Sequence, residues 1–390
     1  MQFAHSGIDR SALMLRSFGI EAAFLAFFVA ILGTIPQAIF KRACAVMLLA
    51  ALTYAMENSI VPLCRSRPHW AATAASLLWV QFLSASKIIV VSRVQMAQVA
   101  PRHRSALARA RSVTGLLWNM RRNGTQWQVK NVPSVKGLQK QGRVDFILRR
   151  FAVTISAYLF VDIVVSLPPA DPAMVHVDKA ALFPPHGLSL EDLIFRAIMT
   201  ASYFLMTGLL NLCMANVGAI ISVATGLSRP TECPPLYGSF ADAYSVRRFW
   251  GISWHQMFRI FLTGHAKLII DAVLPFSRQS AMSRYVRQTV AFLISGAIHY
   301  RAEQLMGVPD KENGALVFFM MHSAIIILED AVQPLISGIL PRSLSRPLGY
   351  LWVVAFFVWT TPPWMYPGSR LGIDPAALLP FRVLGPFIAK

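Results

Sequence analysis

The chain has 390 residues, 55 % of them hydrophobic and only 14 % charged, with a mean hydropathy of +0.51. No soluble fold covers that much apolar surface, so the composition excludes a string of soluble domains and defines an all-α integral membrane protein whose spans satisfy their own backbones as helices. The formal net charge of +19 lies in loops between apolar runs, which excludes nucleic acid as the partner and points to cytosolic loops that meet anionic lipid or an anionic cosubstrate.

A span needs about 20 apolar residues. In chain order the runs 18–35, 44–63, 71–91, 151–167, 193–222, 288–304, 315–336 and 347–366 meet that need, which predicts a polytopic bundle of about eight transmembrane helices. The first run carries Glu21 and lacks a small-residue cleavage site, so it reads as a span and not as a cleavable signal. The run 257–276 is interrupted by Gly264, His265, Lys267 and Asp271 and has basic residues on both flanks. It is expected to be an interfacial or re-entrant segment. The loop 92–150 is dense in Lys and Arg, with Asp145 its only acid, and should face the cytosol. The loop 168–192 carries Asp171, Asp178, Glu191 and Asp192 against Lys179 and should face the lumen, as multi-pass topology in the endoplasmic reticulum requires. No repeat or low-complexity stretch divides the chain, so residues 1–390 read as a single membrane-embedded domain. Cys44, Cys64, Cys213 and Cys233 have no C-x-x-C or metal spacing, so free thiols and no metal site are expected.

Two histidines stand out. One closes Arg247-Arg248-Phe249-Trp250-Gly251-Ile252-Ser253-Trp254-His255-Gln256; the other lies in Phe292-Leu293-Ile294-Ser295-Gly296-Ala297-Ile298-His299-Tyr300. At 1.5 Å per residue, His299 falls about 16 Å into the span 288–304, near the middle of a hydrocarbon core of about 30 Å. An ionisable group there is costly and by default functional. The plainer alternative is a histidine bonded across helices for packing. Ser295, Gly296 and Ala297 are small enough for a close helix neighbour or a substrate channel. His255 alone would fit an aromatic belt with Arg247 and Arg248 snorkelling; beside His299 it gains weight as part of a site.

Weaker signals surround these. His322, Glu329 and Asp330 share one span and should face the bundle interior. Tyr203 and Asn211 line a cavity or bond between helices. The stretch Trp118 to Pro133 is rich in tryptophan and amides, which suits an interfacial anchor or a binding role. His5 to Asp9 fits H-x-x-x-D by chance. Asn123-Gly124-Thr125 is a glycosylation sequon in a loop expected to be cytosolic. No D-D-x-x-D, Walker loop or H-E-x-x-H is present.

The runs Pro234-Pro235-Leu236-Tyr237-Gly238-Ser239-Phe240, Arg248-Phe249-Trp250-Gly251 and Trp254-His255-Gln256 resemble the wax synthase-like branch of the membrane-bound O-acyltransferases. Phe292 to His299 is similar to the segment that carries that superfamily's catalytic histidine, and Val129-Lys130-Asn131-Val132-Pro133 resembles fungal members that acylate, often acetylate, secondary-metabolite hydroxyls. The resemblance covers roughly residues 110–335. Ile252 and Ser253 stand where the family commonly has basic residues, which leaves the local anion contacts open. The resemblance implies His299 as catalytic base, with His255 at the partner position that holds Asn in other branches. Trp254, Trp250, Arg247, Arg248, Ser295 and Asn131 would be substrate-binding. It implies acyl-CoA, preferably acetyl-CoA, as cosubstrate with no bound cofactor, and a lipophilic alcohol such as a terpenoid as acceptor. Two other classes stay open: a transporter, against which no inverted repeat is visible, and a membrane terpene cyclase, for which Glu329-Asp330 would supply the acid.

Overall fold

A computed structural model describes residues 9–64, 66–100, 105–139, 141–273, 280–337 and 341–388. His5 and the end of the run 257–276 lie outside the described residues. Every extended element among the described residues is helical, and each of the eight expected runs falls on a helix. By length and apolar composition, five helical stretches among the described residues are able to cross a membrane: Arg10–Ile31, Ile39–Cys64, Pro68–Val91, Leu190–Ala224 and Asp310–Leu335. The other three expected spans are long enough but carry charge within or at their ends, which lowers their hydropathy. The chain divides into two compact units, one ending at Met120 and one beginning at Arg121.

The first unit holds α1 (Arg10–Ile31), α2 (Ile39–Ile60), α3 (Pro68–Ser86) and α4 (Ala106–Trp118). Asp9, part of the chance H-x-x-x-D, caps α1 by accepting from the N–H groups of Ser11 and Ala12. Arg42 is fully buried and donates to the carbonyls of Ile89, Thr34 and Val94 at 2.8, 3.0 and 3.1 Å. Of these acceptors Ile89 lies in a π-helical turn, Lys87–Val91, that follows α3.

The second unit holds α5 (Arg143–Val164), α6 (Leu190–Ala224), α7 (Arg259–Val273), α8 (Ala281–Met306), α9 (Ala315–Ser337), α10 (Arg342–Thr360) and α11 (Pro362–Ser369). α6 has 35 residues, about 52 Å of helix, and begins at a reciprocal cap between Ser189 and Asp192. The described part of α7 has 15 residues, about 22 Å, against a core of about 30 Å. α8 starts earlier than the run 288–304, because Ser280 caps it and accepts from the Ser283 N–H. The run 347–366 is split: Pro362 and Pro363 lack backbone donors, so α10 ends at Thr360 and α11 starts anew.

The chain's end is clasped by α5. Asp162, fully buried, accepts from the N–H groups of Val383 at 2.8 Å and Leu384 at 2.6 Å and pairs with Arg382 at 2.5 Å. Arg382 also donates to Ser166, and the Tyr158 hydroxyl donates to the Phe381 carbonyl at 2.5 Å.

Candidate functional site

Residues 249–253 form one π-helical turn, closed by the Trp254 N–H on the Phe249 carbonyl at 2.8 Å. Such turns insert an extra residue and recur at functional sites. Distant segments hold this one. Glu329 of α9 accepts the N–H groups of Val246 and Arg247 at 2.8 and 3.0 Å. Asn131 and Arg259 both donate to the Gly251 carbonyl at 2.8 Å. Gln256 turns back to the carbonyls of Trp250 and Trp254 at 3.0 and 2.6 Å. Gly238 donates to the Ser253 carbonyl at 3.0 Å. A Cβ at Gly238 would stand 2.2 Å from the Ile252 carbonyl oxygen, so only glycine allows this approach. The two motifs Pro234–Phe240 and Phe249–Gln256 are thus built against each other.

The arginines before the turn arrive with partners. Arg247 grips Asp330 at 2.5 and 2.7 Å, and the Tyr285 hydroxyl donates to the same carboxylate at 2.9 Å. Arg248 pairs with Asp242 at 2.6 Å and lies 4.4 Å over the Tyr244 ring. Glu329 also accepts the Trp352 indole N–H at 2.9 Å. Glu329 and Asp330 thus tie the segment before the turn to α9.

His255 follows the turn at once. Its ring packs on Trp254 at 5.4 Å and edge-on to Phe258 at 5.2 Å, with Tyr237 at 6.3 Å. Among the described residues its Nδ1 is buried without a hydrogen-bond partner. Burial first, then repulsion from His299 and from Arg121, pushes its pKa down to about 3, so the imidazole is neutral at physiological pH. The influence of His299 puts the two imidazoles within electrostatic reach of each other.

His299 is stacked on Phe319 of α9, ring centres 4.9 Å apart at 15°, and stands edge-on to Trp364 of α11 at 5.1 Å and 71°. Among the described residues it has no hydrogen-bond partner, and the residue is half-buried. Around the pair, Trp250 packs against Phe292, Phe319 and Phe357 at 6.0 to 6.2 Å, and Trp254 stacks on Phe249 at 5.4 Å. Ser295 lies one turn before His299 and is half-buried. A Cβ at Gly296 would be 3.2 Å from the Cβ of Phe319, so the small residues before His299 admit a close helix neighbour. His322 is fully buried, bonded through Nδ1 to the Phe318 carbonyl at 2.8 Å and wedged among Trp250, Phe356 and Phe357. It packs. The Tyr237 hydroxyl donates to the Gly208 carbonyl at 2.9 Å and is met by Asn211.

A cavity of about 560 Å³ is lined by Asn131, Pro133, Pro235, Tyr237, Ser239 and Ile252. It joins three of the stretches singled out by the sequence, and Tyr237 stands between it and His255. Arg121 lies behind its wall and donates to the carbonyls of Pro234 and Pro235 at 2.8 and 2.7 Å. Burial, then the neighbouring Arg150, pushes the Arg121 pKa down to about 10. Sequence reasoning missed Trp364, Glu303 and Arg121. Glu303 carried a signal, since it falls one turn beyond His299; Trp364 carried none.

Residues 233–321, which include both histidines and the π-helical turn, match the model of the membrane bound O-acyl transferase family. The acetyltransferase pyr8 of Aspergillus fumigatus is 28 % identical over 393 residues, covering 93 % of this chain and 90 % of its own. The acetyltransferase ataH of Aspergillus terreus is 31 % identical over 290 residues, 70 % of this chain and 93 % of its own. The acetyltransferase atnC of an Arthrinium species is 30 % identical over 287 residues, 70 % of this chain and 66 % of its own. No solved structure matches the chain. These likenesses define an integral membrane enzyme of acyl transfer. The chain belongs to the membrane-bound O-acyltransferase family, in the wax synthase-like branch with the fungal acetyltransferases.

Proposed function

We propose that this enzyme moves an acetyl group from acetyl-CoA to a hydroxyl of a lipophilic acceptor, a terpenoid or other secondary metabolite, in the endoplasmic reticulum membrane. The observation that carries the reading is the setting of His299: an imidazole without a protein partner among the described residues, walled by aromatic rings and within reach of a second, neutral imidazole. His299 takes the acceptor's hydroxyl proton as its oxygen attacks the thioester carbonyl. A positioned base of this kind contributes about 10²–10⁴-fold. His255 donates its N–H to the tetrahedral oxyanion, worth roughly 3–4 kcal/mol. The intermediate then collapses, the C–S bond breaks, and the leaving CoA sulfur takes the proton back from His299. The thioester is already activated, so the step needs no metal.

The donor's phosphates favour the cavity side. Among the described residues Arg121, Arg150 and Arg259 bond only to carbonyl and amide oxygens, so their positive charge has no carboxylate to offset it. Arg247 and Arg248 would meet a phosphate only in competition with Asp330 and Asp242. Trp250, Trp254, Ser295 and Asn131 shape the site around the reacting groups. The aromatic packing around Trp250 leaves little width for an acyl chain, which favours acetyl, as do the acetyltransferases among the relatives.

The test is mass spectrometry of lipophilic metabolites from cells with and without the gene, followed by isolated membranes given acetyl-labelled acetyl-CoA. A product heavier by one acetyl group, labelled from the donor, is expected. An isomerised skeleton of unchanged mass would mean a cyclase instead.

A further inference from the structure

Glu303 stands four residues beyond His299 on α8, which puts both side chains on one face a helical turn apart. Its Oε1 accepts the indole N–H of Trp364 at 3.1 Å. The same indole meets the His299 ring at 5.1 Å and the Tyr203 ring at 5.3 Å. One indole therefore gathers a carboxylate, an imidazole and a phenol. Glu303 has no cationic partner among the described residues. A carboxylate at that depth, held by one neutral N–H, is costly to keep in a membrane protein. Holding Trp364 does not explain it, because a glutamine oxygen accepts from an indole equally well. The ionisable groups that face the pair are Tyr203 of α6 and His255 beyond the aromatic core, with Tyr300 and the exposed Arg301 on α8 itself. None of these offsets the Glu303 charge.

We propose that Glu303 is a positioning residue for acyl transfer: its carboxylate stabilises the imidazolium that forms on His299 when the acceptor's proton is taken up. This rests on the reading of His299 as the base. The acceptor O–H bond breaks, the proton resides on the His299 ring and then passes to the CoA sulfur. Trp364 holds the carboxylate through its indole N–H while packing edge-on to the His299 ring. An anion one helical turn away favours the charged form of its neighbour, so it strengthens the base without touching substrate.

The experiment compares Glu303→Gln, Glu303→Asp and His299→Ala with the unaltered enzyme in isolated membranes, at matched protein level. It reads acetyl transfer and the release of free CoA thiol from acetyl-CoA across a range of pH. Glu303→Gln is expected to lower kcat about 10-fold to 100-fold with KM for acetyl-CoA within about twofold, and to move the acid limb of the pH profile to lower pH. Unchanged kcat and an unchanged pH profile in Glu303→Gln, with His299→Ala inactive, would overturn the role of Glu303 alone. An active His299→Ala would overturn the base itself. Should the glutamine variant not accumulate, Glu303→Asp carries the test. A fall in kcat at constant KM supports the proposal, and wild-type kcat with a wild-type profile refutes it.

Discussion

Asn131 donates its side-chain amide to the Gly251 carbonyl at 2.8 Å, joining positions 120 residues apart. It does so from a left-handed backbone, φ 62°, which asparagine tolerates better than most residues. The basic loop therefore fastens the turn that presents His255, so its tryptophan- and amide-rich stretch is more than an interfacial anchor. Replacing Asn131 by Ala removes the donor and adds backbone strain, together about 1–2 kcal/mol. Turnover is expected to fall about tenfold while the protein stays in the membrane. Asn131→Gly, which relieves the strain but not the lost bond, should fall less. Wild-type turnover in Asn131→Ala would show that the turn holds without it.

The two histidines should respond differently to the same exchange. His299→Ala and His299→Asn are both expected to lose at least about 100-fold, because an amide cannot take up and pass on a proton near neutral pH. His255→Asn should retain more activity than His255→Ala, by up to roughly 10²-fold, since Asn still offers N–H groups to an oxyanion. Acyl transfer by all four variants, normalised to protein level, decides it. Rescue by Asn at 299 and not at 255 would reverse the roles.

Gly238→Ala tests how tightly the two motifs are pressed together. The added methyl meets backbone and not a movable side chain, so the Ile252 strand of the turn must shift. The expected cost is about 1–3 kcal/mol, seen as a lower melting temperature in detergent and a loss of transfer. Gly251→Ala, where a Cβ meets nothing within 4 Å, serves as the control and should melt like the parent.

Topology follows from the charge of the loop 92–150. Ser105 and Gln139 are exposed, and cysteines placed there in a background lacking the four native thiols should label from the cytosolic side. Asn123 should carry no glycan; its amide nitrogen already donates to the Glu232 carbonyl at 3.2 Å. Labelling from the lumenal side alone would move the donor's entrance to the other face.

Much of the fold was legible because apolar length is a local property. The runs that became α1, α2, α3, α6 and α9 declare themselves over some twenty residues each. The candidate site drew notice at His255 and His299 because an ionisable residue beside apolar and aromatic runs is costly. What surrounds them did not. Asp330 reaching Arg247 and Asp242 reaching Arg248 leave no pattern near the arginines, so their charge looked free. Trp364 sits in a run whose apolar residues look alike, and only the double proline before it hinted that the chain turns there. Glu303 was readable by its spacing from His299, but its distance from that imidazole through Trp364 is a matter of packing.

The clasp on Asp162 also sets an order of events during synthesis. Its partners Arg382, Val383 and Leu384 lie 220 to 222 residues later in the chain. At about 5–20 residues per second, translation needs on the order of tens of seconds to reach them. Through that interval α5 sits in the bilayer with an acid that has no counter-charge, an invitation to the quality-control machinery that extracts unfinished membrane proteins. A ribosome that stalls before position 382 leaves such a chain exposed to degradation, because the buried Asp162 is unmatched until Arg382 arrives.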